Sequence, residues 1–458
     1  MLTSALTYWR SNRQAHLDGL QTFLRIPSIS AIPHHKPDVA MAAEHVAEQL
    51  RTIGMTDVAV VPGKEGEHPL VLGQWLGAPG KPTLLLYAHY DVQPVDPLSA
   101  WTTPPFEPTV RNGKLFARGS ADDKGQLWIL LKALEGFMKT DGKLPINVKC
   151  LFEGEEEFSG AHVERFVEEK PEYLKGITSA LVLDSGMFTP GMPTISTGLR
   201  GIVTTEVTVR GANRDLHSGE FGGAAPNPLE ALGQIIASLK TPKGNVRIPG
   251  FYNSVLPPNA VEKASWDRLP FDERVYCQEI GAAGLIGDRR YSVLHRLWAR
   301  PTLEINGIAG GFAGEGFKTV IPSQAVAKIS MRLVPDMDAD AIAAAFKSFV
   351  LAVAPPHVDV TVKVLAASPA MVVDTSDPAI KAAADAFKQA FGAETAYVRT
   401  GGSIPIAGAF KSVLGVPVLI TGFTLPDCNM HAPNENLDLD NFYTGIEAIG
   451  TYFDILGR

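Results

Sequence analysis

The stretch LLLYAHYDVQP, residues 84–94, ends an apolar run on an imidazole and a carboxylate. His89 and Asp91 are two residues apart, so their side chains would lie on the same face of an extended strand. A histidine and a carboxylate at the end of a buried strand are suited to metal binding. The pair alone proves little, and a metal site requires further ligands from elsewhere in the chain.

Four other segments carry acidic or imidazole side chains near predicted strand or helix ends. They contain Asp122 and Asp123 in RGSADDKG, three glutamates at 155–157 in FEGEEEFSG, Asp184 in VLDSG and His431 in NMHAPNE. Each has an ordinary structural explanation, because aspartates cap helices and turns while loop histidines and glutamate runs are commonly solvated. Convergence of all five segments at one edge of a sheet would instead indicate a functional site.

The elements that must position these residues alternate between strand and helix. Apolar runs and helical spacing predict, in chain order, a helix at 41–55, a strand at 83–90, a helix at 126–138 and strands at 147–152 and 180–184. This alternation predicts an α/β fold, with a layered catalytic domain around a central, largely parallel or mixed sheet. Because such sheets carry their sites at the carboxyl ends of strands, His89, the glutamate run and Asp184 are expected at one edge.

A second pattern begins at about residue 200. Strand, helix, strand, strand, helix and strand are predicted in IVTTEVTVRG, NPLEALGQIIASLK, TLEINGI, AVAKISMRLV, ADAIAAAFKSFVLAV and VDVTVKVLA. This β-α-β-β-α-β order is ferredoxin-like, and residues 241–300 interrupt it as a long insertion. A helix from 376 and the apolar strand VPVLITGF follow. The sequence therefore predicts a catalytic domain of residues 1–199 and 376–458, with a smaller domain of residues 200–375 inserted.

The composition narrows the class of protein. A net charge of −8 argues against nucleic acid as a partner, and no apolar run is long enough to span a membrane. The first twenty residues lack the apolar core of a signal peptide. Cys150, Cys277 and Cys428 are far apart and form no CxxC pair, so they indicate neither a disulfide framework nor a thiolate metal site. We therefore expect a cytoplasmic location.

The charge of the candidate site points to bound cations. Two neutral histidines and three carboxylates would carry a formal charge of about −3, and packed together they would repel one another. Two divalent cations and a bridging hydroxide would neutralise such a set. The mixed nitrogen and oxygen donors favour zinc, with manganese or cobalt as alternatives, and argue against magnesium or calcium.

These motifs resemble those of the dinuclear metallopeptidases of family 20. The segments HYD, GSADDKG and GEEE, a strand-end aspartate and a late loop histidine occur in the family's order, and the resemblance covers nearly the whole chain. The family includes carnosinase-type dipeptidases, glutamate carboxypeptidases, acetylornithine deacetylase and succinyl-diaminopimelate desuccinylase. The segments YAHYDVQP, RGSADDKG, FEGEEE, DLHSGEFGG, KTVIPSQA and GGSIP are most similar to the carnosinase-type and broad-specificity dipeptidases.

The resemblance implies a role for each matched residue. Asp122 would bridge two metal ions, His89 and Asp184 would complete one site, and Glu157 and His431 the other. Two further matched residues would support these ligands: Asp91 would accept the free N–H of His89, and Glu156 would be the general base that activates the bridging water.

A second group of matched residues is implied to bind substrate. His217 would stabilise the oxyanion, reaching the active site of a neighbouring subunit from the inserted domain, so a homodimer through that domain is expected. Arg332, on the polar side of an alternating strand, would clamp a substrate carboxylate. Thr319, Gly402 and Ser403 would line the substrate pocket. Related dipeptidases often have Glu where this chain has Thr400, which leaves recognition of a free amino terminus open.

The sequence therefore predicts a metallo-dipeptidase or related amidohydrolase that cleaves small peptides and binds neither nucleic acid nor membrane. Two alternatives stay open at this point. One is a deacylase that acts on N-acyl amino acids with the same metals, base and carboxylate clamp. The other is a non-catalytic binding protein that keeps the fold, although none of the matched positions is missing.

Overall fold

The computed structural model describes residues 1–401 and 405–458. Within these residues the strands are β1 (Thr56–Val61), β2 (Leu70–Trp75), β3 (Thr83–His89), β4 (Thr109–Arg111), β5 (Lys114–Phe116), β6 (Asn147–Glu153), β7 (Ser179–Leu183), β8 (Thr194–Leu199), β9 (Gly201–Arg210), β10 (Leu216–His217), β11 (Thr302–Gly310), β12 (Val320–Ile321), β13 (Gln324–Leu333), β14 (Asp359–Ser368), β15 (Met371–Val372), β16 (Ala396–Thr400), β17 (Val418–Thr421) and β18 (Asn436–Asp438).

The α-helices of the same residues are α1 (Leu2–Ser11), α2 (Arg13–Leu24), α3 (Lys36–Ile53), α4 (Lys124–Asp141), α5 (Ala161–Glu169), α6 (Pro171–Leu174), α7 (Ser218–Phe221), α8 (Pro228–Leu239), α9 (Ala260–Trp266), α10 (Glu273–Glu279), α11 (Val293–Trp298), α12 (Ala339–Val353), α13 (Pro378–Phe391), α14 (Pro405–Ala409) and α15 (Leu439–Leu456). None of these described helices combines the length and the hydropathy of a membrane span.

The largest sheet has the strand order β1-β2-β6-β3-β7-β17-β8-β15, and β16 pairs with β8. Its middle strands, β6, β3, β7 and β17, run parallel to one another. The flanking pairs β1–β2, β2–β6 and β17–β8 are antiparallel, so the sheet is mixed and its parallel part is central. Strands β6 and β7 are buried throughout, which explains why they read as continuous apolar runs in the sequence. The α/β class predicted from the sequence is confirmed.

The chain divides into two compact units. The first comprises residues 1–197, 373–398 and 405–458, and the second comprises residues 198–372 and 399–404. The predicted domain limits lie between residues 199 and 200 and between residues 375 and 376. They describe segments expected to fold independently, and they stay predictions.

The second unit contains a four-stranded sheet in the order β11-β13-β9-β14, with every pair antiparallel. Its buried core combines alternate residues of these strands with one face each of α8 and α12. The element order β9-α8-β11-β13-α12-β14 is the predicted ferredoxin-like arrangement. The insertion at residues 241–300 forms three short helices, α9 to α11.

In the first unit, the packing of α1, α4 and α15 fixes the helix that follows Asp123. Trp9 of α1 is buried and donates a hydrogen bond from Nε1 to the carbonyl of Lys132 at 2.8 Å. Its ring fits against two glycines, because a Cβ at Gly136 would lie 2.0 Å from Trp9 Nε1 and one at Gly450 would lie 1.9 Å from its Cη2. These glycines allow the three helices to approach closely around one indole ring.

We predict that Gly450→Ala destabilises the protein, although alanine is the better helix former. The added methyl group would overlap the Trp9 ring, and overpacking of this kind costs about 1–3 kcal/mol. The matched control is Gly233→Ala in α8, where a Cβ meets nothing within 4 Å and a gain of about 0.5–1 kcal/mol is expected. Denaturant unfolding measures both changes; equal shifts in the two variants would contradict the packing argument.

Candidate active site

Three sequence-predicted residues or runs lie at one edge of the large sheet. Strand β3 ends at His89, β7 ends one residue before Asp184, and β6 ends two residues before the glutamates at 155–157. The parallel pairing of β3 with both β6 and β7 aligns these strand ends, with His89 opposite Glu153. The strand topology therefore gathers them at the carboxyl edge, as the sequence predicts.

A first ligand group consists of His89, Asp122 and Asp184. His89 Nε2 lies 3.0 Å from Asp122 Oδ1 and 4.0 Å from Asp184 Oδ1. One nitrogen or oxygen of each residue lies within 4.8 Å of those of the other two, which is the spacing of a possible metal site. His89 is fully buried and Asp122 nearly so.

A second ligand group consists of Asp122, Glu157 and His431. His431 Nε2 lies 2.8 Å from Asp122 Oδ2 and 3.2 Å from Glu157 Oε1. The three potential ligand atoms again fall within 4.8 Å of one another. Asp122 therefore presents Oδ1 to the first group and Oδ2 to the second, and all five ligands predicted from the sequence lie together.

Asp91 supports both groups from behind. Its backbone carbonyl lies 3.2 Å and its Oδ1 3.3 Å from His89 Nδ1, the ring nitrogen that faces away from Asp122. Its Oδ2 accepts a hydrogen bond from the backbone N–H of Glu157 at 3.1 Å. Contacts of this kind fix the tautomer and orientation of a ligating imidazole.

The three glutamates have different environments. Glu155 is fully buried and accepts hydrogen bonds from the backbone N–H groups of His68 and His162 and from the Ser159 hydroxyl, so it is structural. Residues 158–160 donate backbone hydrogen bonds to the Glu155 carbonyl, so Glu156 and Glu157 lie within a turn and not on a regular strand.

Gly154, which precedes the three glutamates, is explained by packing. Its φ is not in the positive range, so the backbone conformation itself does not require glycine. Instead, a Cβ at this position would lie 2.5 Å from the Tyr90 ring. The glycine is required because Tyr90 approaches the backbone closely.

Burial and charge repulsion dominate the electrostatics of the site. Burial raises the pKa of Glu156 to about 7 and also raises the pKa values of Asp184 and Glu157. The pKa of His431 is raised to about 10, chiefly by its hydrogen bond to Asp122. Burial lowers the pKa of His89, but its hydrogen bonds to Asp122 and Asp91 outweigh that effect and raise it. The local field therefore favours added positive charge.

The donor set fits divalent cations. Two imidazole nitrogens and three carboxylates are grouped as two triads that share Asp122, and both histidines turn Nε2 towards the carboxylates. Mixed nitrogen and oxygen donors of this kind suit zinc, manganese or cobalt. Positive ions would also relieve the repulsion that raises the carboxyl pKa values.

Sequence reasoning did not identify the function of Asp123. It occupies the N-cap position of α4 but makes no side-chain capping hydrogen bond. Instead its Oδ2 accepts from the backbone N–H of His89 at 3.1 Å, and its Oδ1 accepts from Gln126 Nε2 at 3.0 Å. The Asp122–Asp123 peptide bond is cis. The capping explanation of this Asp pair is therefore wrong, and no sequence signal distinguishes the two functions.

The predicted substrate-binding residues lie mainly in the second unit. His217 in β10 is exposed and pairs with Val320 in β12, and the backbone N–H of Ser218 donates to the Thr319 carbonyl, so His217 and Thr319 are neighbours. Arg332 in β13 is half-buried, and its Nη1 has no hydrogen-bond partner within residues 1–401 and 405–458. Two other predicted residues, Gly402 and Ser403, lie outside the described residues.

Comparison with known proteins finds relatives that match nearly the whole chain. The sequence is 31% identical to a Cys-Gly metallodipeptidase of Candida albicans, over 96% of this chain and 94% of that protein. It is 28% identical to the human Beta-Ala-His dipeptidase, over 93% of this chain and 86% of that protein. The solved structure of the dipeptidase Dug1p from Saccharomyces cerevisiae superposes with a TM-score of 0.83 at 29% identity, covering 100% of this chain and 98% of that one.

The family profile covers segments of both compact units. The model of Peptidase family M20/M25/M40 matches residues 85–454, and this range includes every residue of the two ligand groups. The named relatives are dipeptidases, and the one from Candida albicans is a metallodipeptidase. The chain therefore belongs to peptidase family M20/M25/M40 and is an enzyme that hydrolyses peptide bonds.

Proposed function

We propose that this enzyme hydrolyses the peptide bond of dipeptides or small peptide-like substrates with two divalent metal ions. The observation that carries the proposal is the position of Asp122, whose two carboxylate oxygens face two separate groups of potential ligands. The relatives named for Cys-Gly and Beta-Ala-His dipeptides support a dipeptide as substrate.

The metal ions would be held by the two ligand groups. His89, Asp122 and Asp184 would bind one ion, while Glu157 and His431 would bind the second with the other oxygen of Asp122. Zinc is the favoured metal, with manganese or cobalt as alternatives. When bound, the ions would lower the pKa of a shared water and polarise the scissile carbonyl.

Glu156 would be the general base. Its side chain is partly buried and interacts electrostatically with residues of both ligand groups, but neither triad includes it. A pKa near neutrality suits a group that must both accept and return a proton. Glu156 would take a proton from the attacking water and deliver it to the leaving amine nitrogen. The Asp91 side chain would keep the His89 ring and the Glu157 backbone in place during this transfer.

The second unit would supply substrate recognition. His217 would donate a hydrogen bond to the oxyanion, and Thr319, its neighbour, would contribute to the pocket. The half-buried guanidinium of Arg332 would bind the substrate carboxylate, for which its planar fork is suited. Gly402 and Ser403 would complete the pocket. The chain would act as a homodimer through the inserted domain, in the cytoplasm.

We predict that Glu156→Gln abolishes most activity while metal binding persists. The amide keeps the size of the side chain but cannot accept the proton, and general-base catalysis contributes about 10²–10⁴-fold. Turnover of a dipeptide such as Cys-Gly and metal content by mass spectrometry are the two measurements. Activity within a few fold of that of the wild type would show that another glutamate is the base.

Glu157→Gln is the matched comparison for that variant. It alters the adjacent residue, which we assign to the metal site, so both metal content and activity should fall. If the two variants exchanged these phenotypes, the assignment of Glu156 and Glu157 would be reversed.

Substrate class is tested by a panel of dipeptides, N-acyl amino acids and N-carbamoyl amino acids. We predict the highest kcat/KM on dipeptides with a free carboxylate, because Arg332 is available to bind that group. Blocking the carboxylate as an amide should raise KM strongly. Turnover of acyl substrates alone would replace the dipeptidase proposal with a deacylase. Dipeptides blocked at the amino terminus would additionally test whether this chain, which has Thr400 in place of Glu, recognises a free amino terminus.

Shared active sites are tested by mixing two inactive variants. His217→Ala should lower kcat by about 100-fold with unchanged metal content, because an oxyanion donor is lost. Dissociated and reassociated with Asp122→Ala, it should regain activity, since one site in the mixed dimer would contain a native His217 and a native metal centre. Absence of recovery, with mixed dimers demonstrated by native mass spectrometry, would mean that each subunit is self-contained.

A further inference from the structure

Glu435 is a fully buried carboxylate that belongs to neither ligand group. It accepts hydrogen bonds from three backbone N–H groups of one loop, those of Gly119 at 3.0 Å, Ala121 at 2.8 Å and Asp122 at 3.0 Å. Arg118 Nη1 donates a fourth at 2.7 Å. The loop that presents Asp122 is therefore gathered around a single side chain.

The backbone of Glu435 is fixed to the same loop. Strand β18 pairs antiparallel with β5, and just before it the Glu435 carbonyl accepts a hydrogen bond from the backbone N–H of Ala117 at 3.1 Å. Glu435 is four residues after His431 in the chain. One residue thus joins the loop of the shared ligand, Asp122, to the loop of the ligand His431.

The His431 loop requires such support. Asn429, His431 and Asn434 all have positive φ, a conformation that is costly for residues other than glycine. The loop is held further by Asn434, whose side chain bonds to the Thr102 N–H and the Ala100 carbonyl. Strained backbone persists only where surrounding contacts determine it, and Glu435 anchors the end of this loop.

The two ligand groups differ in how they are anchored. His89 and Asp184 stand at the ends of adjacent buried strands of the central sheet. Glu157 lies in a turn and His431 in the loop described above. Displacement of the Asp122 and His431 loops would therefore affect the second group more, because Asp122 is the one ligand of the first group that lies on either loop.

We propose that Glu435 is a positioning residue that clasps the Asp122 loop to the His431 loop, and that the metal position formed by Asp122, Glu157 and His431 depends on it. The inference rests on the proposed two-metal function. Glu435 does more than neutralise Arg118, because three of the four hydrogen bonds that its side chain accepts come from backbone N–H groups. An apolar residue in its place would leave these buried donors without partners.

The first test is a Zn²⁺ titration of metal-free protein by calorimetry. In Glu435→Gln an NH₂ group replaces one acceptor, and we expect one of two binding steps to weaken by about 10- to 100-fold, as for other residues behind metal ligands. The titration should match that of His431→Ala and differ from that of Asp184→Asn. A profile equal to that of the wild type, or equal weakening of both steps, would overturn the proposal.

The control is Glu447→Gln in α15. Glu447 is also buried and ion-paired, accepting from Arg10 Nε at 3.0 Å and Nη2 at 2.7 Å, and no hydrogen bond joins it to either ligand loop within residues 1–401 and 405–458. Its metal titration should be unchanged. If Glu435→Gln does not fold, the second variant is Glu435→Asp, which keeps the charge on a shorter side chain. We expect a smaller weakening of the same binding step. An unchanged binding step would count against the clasp.

A readout without metal separates this inference from the proposed function. Hydrogen exchange of the metal-free protein, followed by mass spectrometry, reports the backbone N–H groups of residues 117–122. Glu435→Gln should accelerate exchange in that peptide by at least about tenfold, whereas Glu447→Gln should not. Unchanged exchange would overturn the clasp. If the wild type bound fewer than two ions while exchange accelerated, the two-metal function would fail and the clasp would stand.

Discussion

The structure depends on holding like charges together at the edge of a buried sheet. Asp122, Asp184, Glu156 and Glu157 lie close enough to interact, and burial raises the pKa values of the last three. Such an arrangement is unfavourable unless positive charge is present. His89 and His431, which are hydrogen-bonded to Asp122, supply part of that positive charge. The negative potential that raises the pKa values of the two imidazoles also favours divalent cations. The fold must therefore hold these carboxylates close together against their mutual repulsion.

The fold does so with rigid elements and close contacts. Parallel strands β3 and β7 are hydrogen-bonded neighbours, and they bring His89 and Asp184 to the same edge of the sheet. Helix α4 follows Asp123 directly and is fixed by the Trp9 ring against α1 and α15. Tyr90 packs closely against Gly154, directly before the turn that contains Glu156 and Glu157. The chemistry is therefore supported by apolar packing well behind the ligands.

Much of this was predictable, for identifiable reasons. Strands β6 and β7 are buried on both faces and so appear as uninterrupted apolar runs, while β13 alternates between buried and exposed residues because one face is covered. Short exposed strands such as β1 carry no comparable signal. The functions of Asp123, Gly154 and Glu435 were not predictable, since they depend on contacts with residues distant in sequence. A carboxylate that caps a helix and one that accepts from another strand look identical in the sequence.

A common feature of the unpredicted contacts is that carboxylates outside the ligand groups bind backbone N–H groups. Asp123 holds the N–H of His89, Asp91 that of Glu157, and Glu435 those of the loop before Asp122, and all three are fully buried. Hydrogen bonds from backbone N–H groups lower the cost of burying a carboxylate, because those dipoles stabilise the ionised form, but burial still raises the pKa values of Asp123 and Glu435. These carboxylates therefore fix the backbone of the ligand residues from positions outside the two ligand groups. A glutamine at such a position would offer one amide oxygen where a carboxylate offers two acceptor oxygens, which is a physical reason for carboxylates here beyond the three that belong to the ligand groups.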